Sequence, residues 1–85
     1  MMSYETFKNL DFSVERIVGE VRKALAKYNA ENIDVAIKDG GTTACLMYHS
    51  RHDSYPVSDE FPINAVKESD LNRISDEYCV GYWFA

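Results

Sequence analysis

Asp39-Gly40-Gly41-Thr42 divides two apolar stretches, residues 32–38 and 42–50, and dictates how they meet. Paired glycines supply the positive φ that a two-residue hairpin loop requires. Centring the loop on Gly40-Gly41 fixes a register. It sets Ile33 opposite Tyr48, Val35 opposite Leu46 and Ile37 opposite Ala44, so every pair on that face is apolar. The other face pairs Asp34 with Met47, Ala36 with Cys45 and Lys38 with Thr43. A slip of one residue would mix the two faces, so turn chemistry and alternation agree on one β-hairpin.

Residues 13–29 predict a helix. Val14, Ile17, Val18, Val21, Leu25 and Tyr28 form one apolar stripe, with Arg16 and Glu20 paired on the wet side. Asp11 or Ser13 is the expected cap, Asn29 the expected left-handed stop, and Gly19 either a weak point or a place of close approach to the sheet. Tyr4, Phe7 and Leu10 at spacing three predict a separate short turn over residues 1–10, capped by Ser3. Residues 51–62 are polar and broken by Pro56 and Pro62, which reads as a loop with a short edge strand near Ser54–Val57. Ile63, Val66, Leu71 and Ile74 predict a second helix over 63–76, or a shorter one starting at Ser69. Aromatic and β-branched residues from Tyr78 to Phe84 predict a final strand. The expected fold is therefore α+β: one domain over residues 1–85, a two-layer sandwich in the order α-β-β-(loop)-α-β. The sheet is expected to be mainly antiparallel with the helices on one face.

Composition narrows the function. With 46% apolar residues in 85 the chain can form a packed core, and no apolar run reaches the roughly 20 residues of a membrane span. The N-terminus lacks the basic and apolar segments of a signal peptide, so a cytoplasmic protein is expected. Charge is balanced over residues 1–38 and reaches −5 over residues 39–85. Such a surface repels phosphate, which argues against direct binding to nucleic acid or an anionic membrane. The helix–strands–helix order also occurs in double-stranded RNA-binding domains, but the acidic balance opposes that use. Cys45 and Cys79 lie in apolar segments and read as free thiols.

The strands hint at a binding surface. Met47 and Cys45 fall opposite the Leu46 face, and one alternate set of the last strand joins them. Either this second face is exposed as an interface, or residues 51–62 or the N-terminal turn cover it. The expected apolar contacts are Met47, Tyr55, Phe61, Tyr82 and Trp83. Asp53, Asp59, Glu60, Glu68 and Asp70 are the expected acidic rim, steering towards a basic protein partner.

Chemistry is sparse. His49, His52 and Asp53 are metal-ligand types, but no second ligand pair accompanies them. Cys45 and His49, four residues apart on one strand, lie about 13 Å apart, too far for direct proton transfer. No phosphate loop or dinucleotide fingerprint occurs. In size and acidity the chain resembles the small proteins with which phages and mobile elements block host factors. The leading expectation is a non-enzymatic inhibitor or regulator that needs no cofactor and occupies a partner's surface, including a basic surface that normally holds nucleic acid. The alternatives are a small enzyme or metal protein centred on His49, His52 and Asp53, and a homodimer.

Overall fold

The computed structural model describes the backbone of residues 4–64 and 66–85 and the side chains from Ser13 onward. The Ser3 cap and the side chains of Tyr4, Phe7, Leu10 and Asp11 lie outside the described residues. The protein is a small α+β domain of two helices and a mixed, mostly antiparallel sheet of five strands. Its elements are α1 (Tyr4–Leu25), β1 (Ile33–Lys38), β2 (Thr43–His49), β3 (Ser54–Pro56), β4 (Phe61–Pro62), α2 (Glu68–Tyr78) and β5 (Gly81–Phe84).

The hairpin has the expected register at all six pairs, from Ile33↔Tyr48 to Lys38↔Thr43. Its loop is longer than a two-residue turn. Asp39, Gly40 and Gly41 all take positive φ, of 54°, 67° and 93°, and carry the chain round in a left-handed sense. The Thr42 amide closes the turn on the Lys38 carbonyl at 3.2 Å.

α1 is one continuous helix and replaces the expected turn and separate helix. Ser13 therefore does not cap a helix start. It lies buried inside α1, where its hydroxyl accepts the Asn64 N–H at 2.7 Å and ties the helix to the segment after β4. The helix ends at Leu25 rather than at Asn29, whose φ of −73° is extended and not left-handed. Gly19 makes no close approach, since a Cβ there would meet open space.

The core joins Ile17 and Val21 of α1 and Leu71 and Ile74 of α2 to Ile33, Val35, Ile37, Ala44 and Leu46 of the hairpin. These strand residues all belong to the face that alternation marks as apolar. α2 begins at Glu68 and runs on through Tyr78, so the final strand is shorter than expected. Cys79 takes a left-handed conformation at the helix end, and the chain then turns into β5. β5 runs parallel to β1, giving the order β3-β2-β1-β5, with β4 also on β2.

The expected loop at 51–62 mostly follows the outer edge of β2. β3 pairs with Met47 to His49, and β4 pairs with Thr43 and Ala44. Between them Cys45 and Leu46 face four residues, 57–60, so this edge carries a two-residue bulge. The bulge keeps the ladder satisfied. The Val57 N–H reaches the Leu46 carbonyl at 2.9 Å, and the Ser58 hydroxyl accepts the Leu46 N–H at 2.9 Å.

Candidate functional site

The sheet register places three rows of residues on the face opposite the helices. β5 contributes Gly81 and Trp83, β1 contributes Asp34, Ala36 and Lys38, and β2 contributes Met47, Cys45 and Thr43. The bulge covers the β2 side of this face. The Ser58 carbonyl lies 3.4 Å from Cys45 Sγ, and Glu60 reaches Lys38 Nζ at 3.0 Å. The hydrogen bond that Lys38 donates to Glu60, and then the Glu60 charge, raise the Lys38 ammonium above its ordinary pKa. Cys45 is therefore buried and Met47 half-buried. The β5 side stays open, with Trp83 40% exposed beside the fully buried Ala36.

β5 is also the end of the sheet. The Ala85 N–H donates to the Ile37 carbonyl at 2.8 Å, and Phe84 is the register partner of Ile37. In a parallel ladder this parity turns the amides and carbonyls of Tyr82 and Phe84 away from β1, towards the open side. Phe84 is 54% exposed and stacks edge-on against Tyr82, with ring centroids 6.1 Å apart. It also walls a cleft of about 380 Å³ with Ile37, Gly41 and Val66. The Tyr82 hydroxyl donates to Asn72 Oδ1 and lies 3.4 Å from Glu68 Oε1. Loss of solvation first, and the Glu68 charge second, hold its phenol above the ordinary pKa.

The remaining expected contacts are dispersed. Phe61 is a correction: it is 2% exposed, in the core, with the Arg16 guanidinium 5.0 Å over its ring, and cannot serve as a surface anchor. Its polar neighbours in sequence suggested exposure, but pairing with Ala44 turns it inward. Tyr55 is 41% exposed at the opposite edge, where it stacks on Tyr48 at 4.9 Å and Tyr48 leans on Tyr28 at 5.2 Å. Tyr82 is half-buried on the helix side.

Nor do the acids make one rim. Asp53 lies in the β2–β3 connection, Asp59 and Glu60 on the bulge, and Glu68 and Asp70 at the start of α2. Glu60 is paired with Lys38 and Asp70 with Arg73, leaving Glu68 as the expected acid beside β5. Sequence reasoning missed Asp34. This half-buried carboxylate of the central strand makes no hydrogen bond or ion pair among the described residues. The hairpin register already placed it on the second face, but its neighbour Gly81 depends on strand order.

Among the described residues the histidines do not assemble into a metal centre. His49, His52 and Asp53 are all exposed, and among the described residues no group of three or more His, Cys, Asp or Glu comes together. A cleft of about 620 Å³ between α1 and residues 56–59 presents Arg16 and Lys23 against Glu20 and Asp59, with no net charge. Among the described residues no helix is long and apolar enough to cross a membrane. Comparison with protein-family models, curated proteins and solved structures finds no match, so the geometry of the site carries the functional argument.

Proposed function

We propose that the protein is a polypeptide-binding module that receives an extended segment of a protein partner along β5. The observation that carries this reading is the open edge, where the backbone groups of Tyr82 and Phe84 point outward between exposed Trp83 and Phe84. An unpaired edge is a template for another strand, and main-chain hydrogen bonds supply the affinity. Aromatic side chains on both faces then act as anchors. The net charge of −5 favours a basic partner over a nucleic acid.

Phe84→Pro is the discriminating variant. It removes one outward N–H and leaves the bonds to β1 in place, because proline is tolerated where its nitrogen faces away from the sheet. Immobilised wild-type protein should retain a stoichiometric partner from lysate, and folded Phe84→Pro should lose it. Equal retention by both, or no partner on the folded wild type, rejects the reading. Sedimentation at micromolar concentration separates the remaining case. A dimer abolished by Phe84→Pro assigns the edge to a second copy of the chain.

A further inference from the structure

We infer that the segment received by β5 carries a lysine or arginine opposite Gly81, held by the Asp34 carboxylate. This inference rests on the strand-addition reading and adds the chemistry of the partner.

Gly81 is the register partner of Asp34, and Met47 lies on the other side of Asp34. A Cβ at position 81 would collide with Asp34 Oδ1. Asp34 thus leans over the β5 backbone, towards the open edge, through a gap that only glycine leaves. The cation of the same face does not neutralise it, since Lys38 sits four residues along β1 and is paired with Glu60.

An added strand places its residue opposite Gly81 on this same face. That residue stands two strand spacings from β1, about 9.6 Å. With Asp34 reaching outward and a charge-assisted hydrogen bond of about 2.8 Å, the remaining gap is one that a four-carbon lysine stem or an arginine fork can span. A shorter or acidic side chain leaves the carboxylate unmet or repelled. Trp83 stands two residues along β5 on the same face and offers its ring to the passing cation. The gap at Gly81, the unpaired carboxylate and the indole together describe a seat for one basic side chain.

The test uses the full chain and a displayed library of random linear peptides as probe. Peptides are selected on wild-type protein, and binders are retained whose affinity falls in Phe84→Pro. The expected result is Lys or Arg enriched at one fixed position. Replacing that residue by Met should weaken binding to wild type about fivefold, and Asp34→Asn should weaken the basic peptide by the same factor. The Met peptide should bind wild type and Asp34→Asn equally. Edge-dependent peptides without a basic preference, or with one that survives in Asp34→Asn, overturn this inference and leave the strand-addition reading standing. A selection that yields no edge-dependent peptide overturns both.

Discussion

Along one edge of the sheet, β3 and β4 carry Pro56, Pro62, a two-residue bulge and the charges of Asp59 and Glu60. Along the other, β5 is Gly-Tyr-Trp-Phe, with no proline, charge or bulge. The first edge has the devices by which proteins discourage another strand from adding. Its bulge also spends a serine hydroxyl on the one ladder donor that the insertion would strand. The second edge has none of these devices and sets large aromatic groups on both faces. Two edges of one small sheet, under the same pressure to stay unpaired, have opposite solutions. The contrast directs attention to β5 more firmly than any count of exposed residues.

The largest test compares one aromatic from each edge. Phe61→Ala should cost about 3–5 kcal/mol, because Phe61 fills the core beneath β2 and carries the Arg16 guanidinium. Trp83→Ala should cost about 2 kcal/mol, since 40% of the residue already meets water. Urea unfolding followed by circular dichroism reads both, as Trp83 is the sole tryptophan and its loss removes the fluorescence signal. Equal costs would mean that β5 is as closed as the β4 edge, and the contrast would fail.

Next in size is the serine of the guarded edge. Ser58→Ala leaves the amide of fully buried Leu46 without its acceptor at 2.9 Å. An unmet buried donor costs about 1–3 kcal/mol. Native-state hydrogen exchange should show the Leu46 amide losing protection before the β1 amides do. An unchanged unfolding midpoint and unchanged protection would show that the bulge does not depend on this hydroxyl.

The same contrast explains what could be read without coordinates. The hairpin's register was legible, because glycine chemistry and period-two alternation chose the same pairing at 33–48, but its longer loop was not. Both helices were legible from their stripes, but their limits were not. Ser13 looks like a cap, yet its hydroxyl is used by the distant Asn64, a partner that local pattern cannot reveal. β4 is two residues long and ends in proline, too short for alternation to register. Phe61 was misplaced for that reason. On the open edge, Trp83 was legible as an unusual exposed aromatic, whereas Asp34 and Gly81 become one site only once β5 is known to run beside β1.

A smaller effect addresses the gap itself. In Gly81→Ala the new Cβ must displace Asp34 Oδ1. The displaced atom ends a rotatable side chain, and alanine recovers some chain entropy, so stability should change by less than about 1 kcal/mol in either direction. Gly81→Ala combined with Asp34→Ala should be no less stable than Asp34→Ala alone. A loss above about 2 kcal/mol in the single variant would mean that the β5 backbone, rather than one carboxylate, fills the space, and the open edge would be more rigid than its sequence implies.

The smallest expected effect is alkaline, and it touches both edges. Lys38 at the bulge and Tyr82 on β5 each hold their proton more tightly in the folded chain than at their ordinary values of 10.5 and 10.0. For either group a raised folded pKa means that the stabilising contribution is complete below the unfolded value. It is lost as pH rises through the folded one. Deprotonated Lys38 no longer pairs with Glu60, and a Tyr82 phenolate faces the Glu68 carboxylate and the Asn72 carbonyl oxygen. Both sites are solvent-accessible, so the decline should be shallow and confined to pH above about 9. Lys38→Met should flatten the part arising at the guarded edge and Tyr82→Phe the part at the open one, read as urea midpoints between about pH 8 and 11. A flat wild-type profile over that range would remove both proton-linked contacts. A decline abolished by Lys38→Met alone would leave Tyr82 without a proton-linked role and make the open edge the less constrained of the two.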